Sequence, residues 1–443
     1  MATLAVRNGT LLTQGPAGTV RADLLVADGR ISEIADRVGP ADTEVDATGC
    51  LVLPGFVQTH VHLCQTLFRG LAEDLDVMEW LRRWIWPLET ALTAETMAAS
   101  CRLGVAEMLL SGTTTFLSME SVLHTDEAYA AAADLGTRAV IGKALMDYQE
   151  PGTQMLGETT EEAWKDLLRL YERWHGAEDG RLRVAVSPRA PRSATPGLWA
   201  DAVRLAERAG LTLHTHVNEN RDQAALVSAD SHGRDVHALH SWGALNERMV
   251  MAHCVWLDET EIDLIARTGA HVAHCPSANL KLASGVAPVP ALLSRGINVA
   301  LGTDGAACNN TLDLQHEMRL AALVQRPAHG PAVLSAERVL GMATLGGARA
   351  LGLGRELGSL EPGKQADVQI VAAPLLGPDD TALAARHLVH TASAADVRTV
   401  LVGGRIVVDD GRLVHGDLAR IQREAVRARP ALTAHFSGKD HTS

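Results

Sequence analysis

The stretch LPGFVQTHVHLCQTLFRG, residues 53–70, begins with an apolar run and ends that run with two histidines two positions apart. Successive side chains of a β-strand point to opposite faces, so His60 and His62 would share one face of a strand and could converge on one point. This spacing is compatible with a pair of metal ligands, and it is equally compatible with two histidines that have only a structural role in a strand. The remainder of the chain has to distinguish the two interpretations.

The apolar run that contains His60 is the first of eight such runs in the middle of the chain. Most of them are separated by stretches with helical periodicity, such as residues 93–112 and 196–210. Eight β-runs joined by crossover helices predict an α/β fold of the (β/α)8 TIM-barrel type, whose chemistry lies in loops at the carboxyl ends of the strands. The runs lie at about residues 51–60, 113–118, 138–143, 182–187, 211–217, 248–254, 270–275 and 297–303.

Short β-like runs separated by turns make up both ends of the chain. We therefore predict that residues 1–55 and 358–443 pair into one small β-sandwich domain, and that residues 56–357 form the barrel. The stretch from residue 416 to residue 436 has the pattern of an amphipathic surface helix, whose arginines we expect to face the solvent.

The composition limits the partners of this 443-residue chain. Forty basic against fifty-three acidic residues give a net charge of −13, which argues against nucleic acid as a partner. No apolar run approaches the roughly 20 residues that span a bilayer, and the first residues do not resemble a secretory signal. The six cysteines include no CxxC pair, which is typical of reduced thiols. We expect a cytoplasmic protein that acts on a small molecule.

Polar residues follow several of the eight runs, at the edge where a barrel carries its chemistry. His216 ends the fifth run, His253 ends the sixth and Asp304 follows the eighth. A single histidine at a strand end is usually structural, but these residues share one predicted rim with the His60 and His62 pair. Three imidazoles and one carboxylate suit Zn²⁺, and also Fe²⁺ or Mn²⁺, with an open position for water. Such an ion would lower the pKa of that water towards about 7.

Three more polar residues lie near this predicted rim. Glu219 comes three positions after His216, in the loop beyond the strand, where its carboxyl group could move a proton. His214 would lie on the same strand face as His216 but one layer deeper, which favours a place in the core. His274 ends the seventh run, and we expect it to have a structural role or to support a metal ligand rather than to bind the ion itself.

Six segments carry these residues in a combined pattern: PGFVQTHVH (54–62), HTHVNEN (214–220), AHCVWL (252–257), HCPSANLKLASGVAPV (274–289), LGTDGAACNN (301–310) and GSLEPGKQADV (358–368). Together they resemble the amidohydrolase superfamily, specifically its deaminase and chlorohydrolase branch. The resemblance covers nearly the whole chain, including the split β-domain. It implies a divalent metal ion, most often zinc, and a homo-oligomer, which is common among similar enzymes.

The resemblance also implies a role for each residue of the predicted rim. Glu219 would protonate the ring nitrogen beside the amino-bearing carbon, and Asp304 would take a proton from the attacking water. His253 would orient that water. The implied reaction is the hydrolytic deamination of an amino-heterocycle with release of ammonia. The metal ligands that it implies are His60, His62, His216 and Asp304.

The segment LFRGLAEDLDVMEWLRRWIWPLE, residues 67–89, is similar to methylthioadenosine and S-adenosylhomocysteine deaminases. In those enzymes the positions that match Trp80 and Glu89 meet the nucleoside, and Glu89 would accept hydrogen bonds from the two ribose hydroxyls. We therefore predict a deaminase of an adenine nucleoside such as 5'-deoxyadenosine, methylthioadenosine or S-adenosylhomocysteine.

Other positions resemble guanine deaminase. Arg189 stands where the nucleoside deaminases usually have a histidine, Gln65 follows HVHL, and residues 219–222 read Glu-Asn-Arg-Asp. A guanidinium group can only donate hydrogen bonds, so Arg189 favours a ring acceptor or an oxo group of the substrate. Guanine, a pterin or an s-triazine is therefore the alternative substrate. A metal-free binding protein is a remote alternative, because every residue of the metal site is present.

Overall fold

The computed structural model describes residues 3–148, 156–221, 233–377 and 380–434. The strands in this part of the chain, numbered in chain order, are β1 (Thr3–Leu12), β2 (Thr19–Ala27), β3 (Arg30–Ala35), β4 (Thr43–Asp46), β5 (Cys50–Pro54), β6 (Phe56–Val61), β7 (Thr113–Glu120), β8 (Arg138–Leu145), β9 (Leu182–Pro188), β10 (Thr212–Val217), β11 (Met249–His253), β12 (His271–His274), β13 (Val299–Leu301), β14 (Val368–Ala372), β15 (Val397–Val402), β16 (Arg405–Asp409) and β17 (Arg412–Leu413).

Helices of five residues or more lie at Leu63–Phe68, Leu81–Ile85, Trp86–Thr90, Ala94–Leu110, Asp126–Leu135, Thr160–Trp174, Pro196–Ala209, Asp235–Ser241, Glu259–Thr268, Pro276–Lys281, Val289–Ser294, Leu314–Val324, Ala336–Ala343, Leu345–Ala350, Ala384–His390 and Leu418–Thr433. The first of these is a 3₁₀ helix and the second a π turn. Shorter helical turns lie at Val77–Trp80, Ala177–Gly180, Pro191–Ser193, Ala306–Asn309, Arg326–His329, Thr381–Leu383 and Ala394–Asp396.

Strands β6 to β13 form a parallel barrel in which each strand pairs with the next along the chain. The last of them, β13, lies beside β6, where the backbone N–H of Asp304 donates to the carbonyl of His60 over 3.0 Å. The barrel is therefore nearly closed, and the predicted (β/α)8 fold is confirmed. Strands β7 and β8 are buried along their whole length, as expected of a parallel sheet covered by helices. The closure also brings Asp304 next to the first barrel strand.

The strands from both ends of the chain form a second, nine-stranded mixed sheet. Strand β5 pairs with β1 and with β14, and so joins the N-terminal strands to the C-terminal ones. The small β-domain predicted from the two chain ends is thus confirmed, and all its strands share one hydrogen-bonded network. Arg138 of the barrel donates two hydrogen bonds of 3.1 Å to Asp367 and fixes this sheet against the barrel. The exact domain boundaries stay a prediction.

The helices around the barrel begin and end where the sequence provides caps. Glu259–Thr268, which follows β11, starts at a capping box made by Asp258 and Glu261. The same helix ends at Gly269, whose φ of 74° is left-handed and suits glycine. Such local signals fix where the chain turns back, and they explain why the eight strand runs could be placed from sequence.

The C-terminal helix Leu418–Thr433 packs against Ala94–Leu110 on the outside of the barrel. Its buried residues Ile421, Ala425 and Leu432 recur at helical spacing, whereas Arg420, like most of its arginines, is exposed. This confirms the predicted amphipathic helix. Within the described ranges, none of the helices combines the length and the apolar character that crossing a bilayer requires.

Candidate metal and substrate site

Four side chains converge at the carboxyl end of the barrel. His62 Nε2 lies 3.2 Å from His216 Nε2 and 3.2 Å from Asp304 Oδ1. His60 Nε2 lies 3.3 Å from the same carboxylate oxygen. All four potential ligand atoms lie within 4.8 Å of one another, which is compact enough for a single ion to contact each of them. The two-residue spacing of His60 and His62 therefore places both imidazoles at one point.

Backbone carbonyls orient two of these imidazoles. His62 Nδ1 donates to the carbonyl of Met119 over 2.5 Å, and His216 Nδ1 donates to the carbonyl of Arg189 over 2.6 Å. A carbonyl can only accept, so each Nδ1 carries the proton and each Nε2 presents a lone pair to the centre. Metal-binding histidines are typically held in this way through the nitrogen that does not bind the ion.

His60 provides the test of whether a metal fits. Its Nδ1 lies 2.9 Å from Nε2 of His214, which holds the ring in place. Its fully buried Nε2 makes no hydrogen bond of good geometry among the described residues, and its nearest polar neighbour is Asp304 Oδ1 at 3.3 Å. A buried polar atom without a partner is costly, by about 1–3 kcal/mol. A divalent ion bound by His60, His62, His216 and Asp304 would satisfy this atom, and this donor set of three imidazoles and one carboxylate fits zinc.

The electrostatics of the four residues also favour a metal. Burial lowers the pKa of His60 to about 4 and that of His216 well below its usual value, so both are neutral imidazoles. Burial also opposes the charged form of His62, but the neighbouring Asp304 raises the pKa of this histidine above its usual value. Burial opposes the charge of Asp304, but the neighbouring His60 and His62 hold its pKa well below the usual range. Neutral imidazoles and an ionised carboxylate are the forms that bind metal ions.

A second group lies beside the metal ligands. His253 Nε2 is 3.9 Å from Glu219 Oε1 and 3.8 Å from Asp304 Oδ2. The ring is fixed by Asn279, whose Oδ1 lies 2.8 Å from His253 Nδ1. Burial raises the pKa of the Glu219 carboxyl group above its ordinary value. Glu219 therefore keeps its proton to higher pH than an exposed glutamate, as a proton donor at neutral pH requires.

Three of the four predicted substrate residues form one buried cluster. Arg189 donates to both carboxylate oxygens of Glu89, over 2.7 Å and 3.0 Å. Gln65 Nε2 donates to Glu89 Oε1 over 3.0 Å. The sequence predicts Gln65, Glu89 and Arg189 as separate contacts to a substrate, whereas the structure pairs them with one another. Their roles towards a substrate stay predictions.

A cavity opens above the metal ligands. Trp80, Gln65 and Arg189 line it together with Glu219 and His253. Glu89 is only 1% exposed and lies behind Arg189 and Gln65. One wall is apolar and suits a flat heterocycle, and it includes Met78, Trp80, Leu81, Trp86 and Met146.

Some residues that shape the site were not assigned from sequence. His214, predicted as a core residue, is indeed buried, and it also orients His60. Glu317 accepts hydrogen bonds from Ser277, on the helix that carries Asn279, and from Asn309, at the end of the helical turn that follows Asp304. The available signal in the sequence was the polar residues of the segments 274–289 and 301–310, which had no assigned role there. His274 is buried, and neither of its ring nitrogens has a partner in the described parts of the chain.

A (β/α)8 barrel that gathers three histidines and an aspartate at its carboxyl rim, with a protonatable glutamate beside them, defines a metal-dependent hydrolase. The family model described as the amidohydrolase family matches residues 51–407. The chain belongs to that family, and the resemblance drawn from the motifs is confirmed.

Curated relatives match nearly the whole chain. The 5'-deoxyadenosine deaminase of Methanothermobacter thermautotrophicus is 42% identical over 92% of this chain and 95% of that protein. The 5-methylthioadenosine/S-adenosylhomocysteine deaminase of Desulforudis audaxviator is 39% identical over 96% of this chain and 93% of its own. The crystal structure of an adenosine deaminase from Xanthomonas campestris with bound zinc superposes with a TM-score of 0.90, at 31% identity over 98% of this chain and 99% of that one.

Proposed function

We propose that this protein is a zinc-dependent deaminase of an adenine nucleoside of the 5'-deoxyadenosine, methylthioadenosine or S-adenosylhomocysteine type. The observation that carries the proposal is the placement of Glu219 and His253 beside the four metal ligands, at the base of a cavity with an apolar wall. The names of two relatives that match more than nine-tenths of the chain support this substrate class.

The chain's own residues account for the proton transfers. When bound, the ion supplies Lewis-acid chemistry and lowers the pKa of a water molecule. Asp304 accepts a proton from the attacking water. Glu219 gives its proton to the ring nitrogen beside the amino-bearing carbon, and His253 steadies the oxygen as it adds to that carbon. The proton of the added hydroxyl then passes through Glu219 to the amino group, the C–N bond breaks and ammonia leaves as the carbonyl forms. The proton held by Asp304 restores Glu219, so that water and the adenine nucleoside become the hypoxanthine nucleoside and ammonia.

The alternative substrate is guanine, a pterin or an s-triazine. Arg189 favours this alternative, because a guanidinium group in the cavity wall can donate hydrogen bonds to a substrate but cannot accept them. An oxo group of guanine or a pterin would match such a donor as well as a purine ring nitrogen does.

A panel of substrates tests the choice between these classes. The zinc-loaded protein is incubated with 5'-deoxyadenosine, methylthioadenosine, S-adenosylhomocysteine, guanine, a pterin and an aminotriazine, and ammonia release is measured for each. We expect the highest kcat/KM for an adenine nucleoside. Turnover of guanine, the pterin or the triazine without turnover of any adenine nucleoside would overturn the proposed substrate class.

We also propose that the enzyme works in the cytoplasm as a homo-oligomer. All six cysteines are unpaired in the structure, which fits a reducing compartment. Homo-oligomers are common among similar enzymes. Light scattering of the purified protein is expected to give a multiple of the 47.1 kDa chain mass, and the mass of one chain would contradict this state.

A further inference from the structure

Glu219 lies beyond the end of a strand, so its position depends on the turn that follows β10. This strand ends at Val217, and the next residue, Asn218, has a φ of 45°. That value lies in the left-handed region, which few residues other than glycine adopt and in which asparagine is enriched. Directly after this turn, Glu219 Oε1 lies 3.9 Å from His253 Nε2. The contacts that hold Asn218 in its left-handed conformation therefore determine where the Glu219 carboxyl group lies.

We propose that Asp235 is a positioning residue for the proton donor: its carboxylate holds the turn at Asn218, and this turn aims the carboxyl group of Glu219 at the substrate. The inference rests on the proposed function, since it takes Glu219 as the group that protonates the substrate. Asp235 itself transfers no proton and acts only through the backbone of Asn218.

Two buried carboxylates hold Asn218. Its backbone N–H donates to Asp235 Oδ2 over 2.9 Å, and its side-chain Nδ2 donates to Glu261 Oε1 over 2.9 Å. All three residues are buried. Burial raises the pKa of Asp235 to about 6, and the N–H of Asn218 opposes this rise, so the carboxylate is ionised at neutral pH. A charged acceptor makes a stronger hydrogen bond than a neutral one, and Asp235 therefore fixes the peptide group between Val217 and Asn218.

The carbonyl of Asn218 joins the turn to the next strand end. It accepts from the backbone N–H groups of Val255 and Trp256, over 3.1 Å and 3.0 Å. These two residues lie in the segment that follows β11, the strand that ends at His253. The backbone next to Glu219 and the backbone that follows His253 are therefore fastened to each other. A shift of Asn218 would change the position of Glu219 relative to His253.

Arg234 connects the two carboxylates. It directly precedes Asp235, and its Nε and Nη2 donate to Glu261 Oε2 over 2.9 Å and 2.8 Å. The buried charge of Glu261 thus has an ion-pair partner, which offsets part of its desolvation cost. Asp235 is the first residue of the helix Asp235–Ser241, and Glu261 lies in the first turn of the helix Glu259–Thr268. Two helices outside the barrel therefore hold the turn that carries the proton donor.

Asp235 also lines the cavity, so direct contact with the substrate is the alternative that the experiment has to separate. Positioning of Glu219 affects a step that occurs in the transition state, and its loss lowers kcat. A direct contact made equally to the bound substrate would affect KM. The two roles also differ in whether asparagine can replace the carboxylate.

The experiment measures kcat and KM for 5'-deoxyadenosine, with zinc content, on wild type, Asp235→Ala and Asp235→Asn. Alanine removes the acceptor for the N–H of Asn218, and a misplacement of about 1 Å can cost about 100-fold in rate. Asp235→Ala should therefore lower kcat by about tenfold or more, with KM within about threefold and zinc content unchanged. Asp235→Asn keeps an oxygen that can accept from the N–H of Asn218, so its kcat should lie within about threefold of wild type.

Three results would overturn the inference: equal losses of kcat in both variants, a loss confined to KM, or a kcat of Asp235→Ala within about twofold of wild type. Asp235→Asn is nearly isosteric and is expected to fold. It keeps the inference falsifiable if Asp235→Ala does not fold, because a loss of kcat above about tenfold in Asp235→Asn would by itself contradict a role that needs only an acceptor oxygen.

A double variant tests whether Asp235 acts through Glu219. Once Glu219→Gln has removed the proton donor, adding Asp235→Ala should lower the residual kcat by less than about twofold, since the positioned group is already absent. A further loss as large as that of Asp235→Ala alone would overturn the inference.

The matched control is Asp23→Ala in the small β-domain. Asp23 Oδ1 accepts over 2.9 Å from the backbone N–H of Asn8, another left-handed asparagine, with a φ of 62°. The variant removes the same kind of hydrogen bond outside the barrel and should leave kcat and KM unchanged.

The outcomes also separate this inference from the proposed function. Wild-type turnover of 5'-deoxyadenosine together with any of the contradicting variant results would preserve the proposed function and remove the inference. No turnover of any adenine nucleoside by the zinc-loaded wild type would remove both.

Discussion

Exchange of Asp304 for asparagine is expected to lower kcat for deamination by about 10²–10⁴-fold, the range typical of a lost general base. Asparagine keeps the size of the side chain but cannot accept a proton, and it removes the negative charge that faces His60 and His62. The measurement is kcat on 5'-deoxyadenosine, together with the metal content of the same sample. Metal content is expected to fall as well, because one of four ligands loses its charge.

The matched control is Asp126→Asn, which removes a carboxylate from the outer helix layer, where Asp126 pairs with Arg169 and Arg173. Its kcat should equal that of the wild type. An Asp304→Asn enzyme with full metal content and unchanged kcat would contradict both the ligand role and the proton-acceptor role of Asp304.

Exchange of Glu219 for glutamine is expected to have an effect of similar size on kcat, about 10²–10⁴-fold, but for a different reason. Glutamine cannot deliver a proton to the ring nitrogen, while the four metal ligands stay intact. Metal content should therefore match that of the wild type. This split between activity and metal content distinguishes a proton carrier from a ligand.

The pH dependence offers a second readout of Glu219. Because burial raises the pKa of its carboxyl group, the protonated form persists above the pH at which an exposed glutamate ionises. Wild-type kcat should fall as the pH rises through that raised pKa, and the residual activity of Glu219→Gln should lack this fall. A pH profile of kcat that is the same in both enzymes would show that Glu219 does not carry the proton.

The barrel and its metal ligands were predictable because they depend on local pattern. Alternation along a strand places His60 and His62 on one face, and the ends of later runs supply His216 and Asp304. Asp304 lies next to His60 because β13 closes against β6. The (β/α)8 pattern implies this closure. These features therefore follow from periodicity and topology.

The contacts that orient the site were not predictable in the same way. His214 could be placed on a strand face, but its bond to His60 depends on the packing of two rings from different strands. Glu89 and Arg189 are one hundred residues apart, and each has the chemistry of a substrate contact when considered alone. That they bind each other depends on how the helix Trp86–Thr90 packs over the barrel rim. Sequence patterns do not contain this information.

Zinc-dependent deamination is tested by measuring ammonia release from 5'-deoxyadenosine by the protein in three states: zinc-loaded, stripped with a chelator, and reloaded with zinc. We expect one ammonia for each hypoxanthine nucleoside formed, loss of that activity on stripping, and its return on reloading. Full activity of the stripped protein, or no ammonia from the zinc-loaded protein with any adenine nucleoside, would contradict a zinc-dependent nucleoside deaminase.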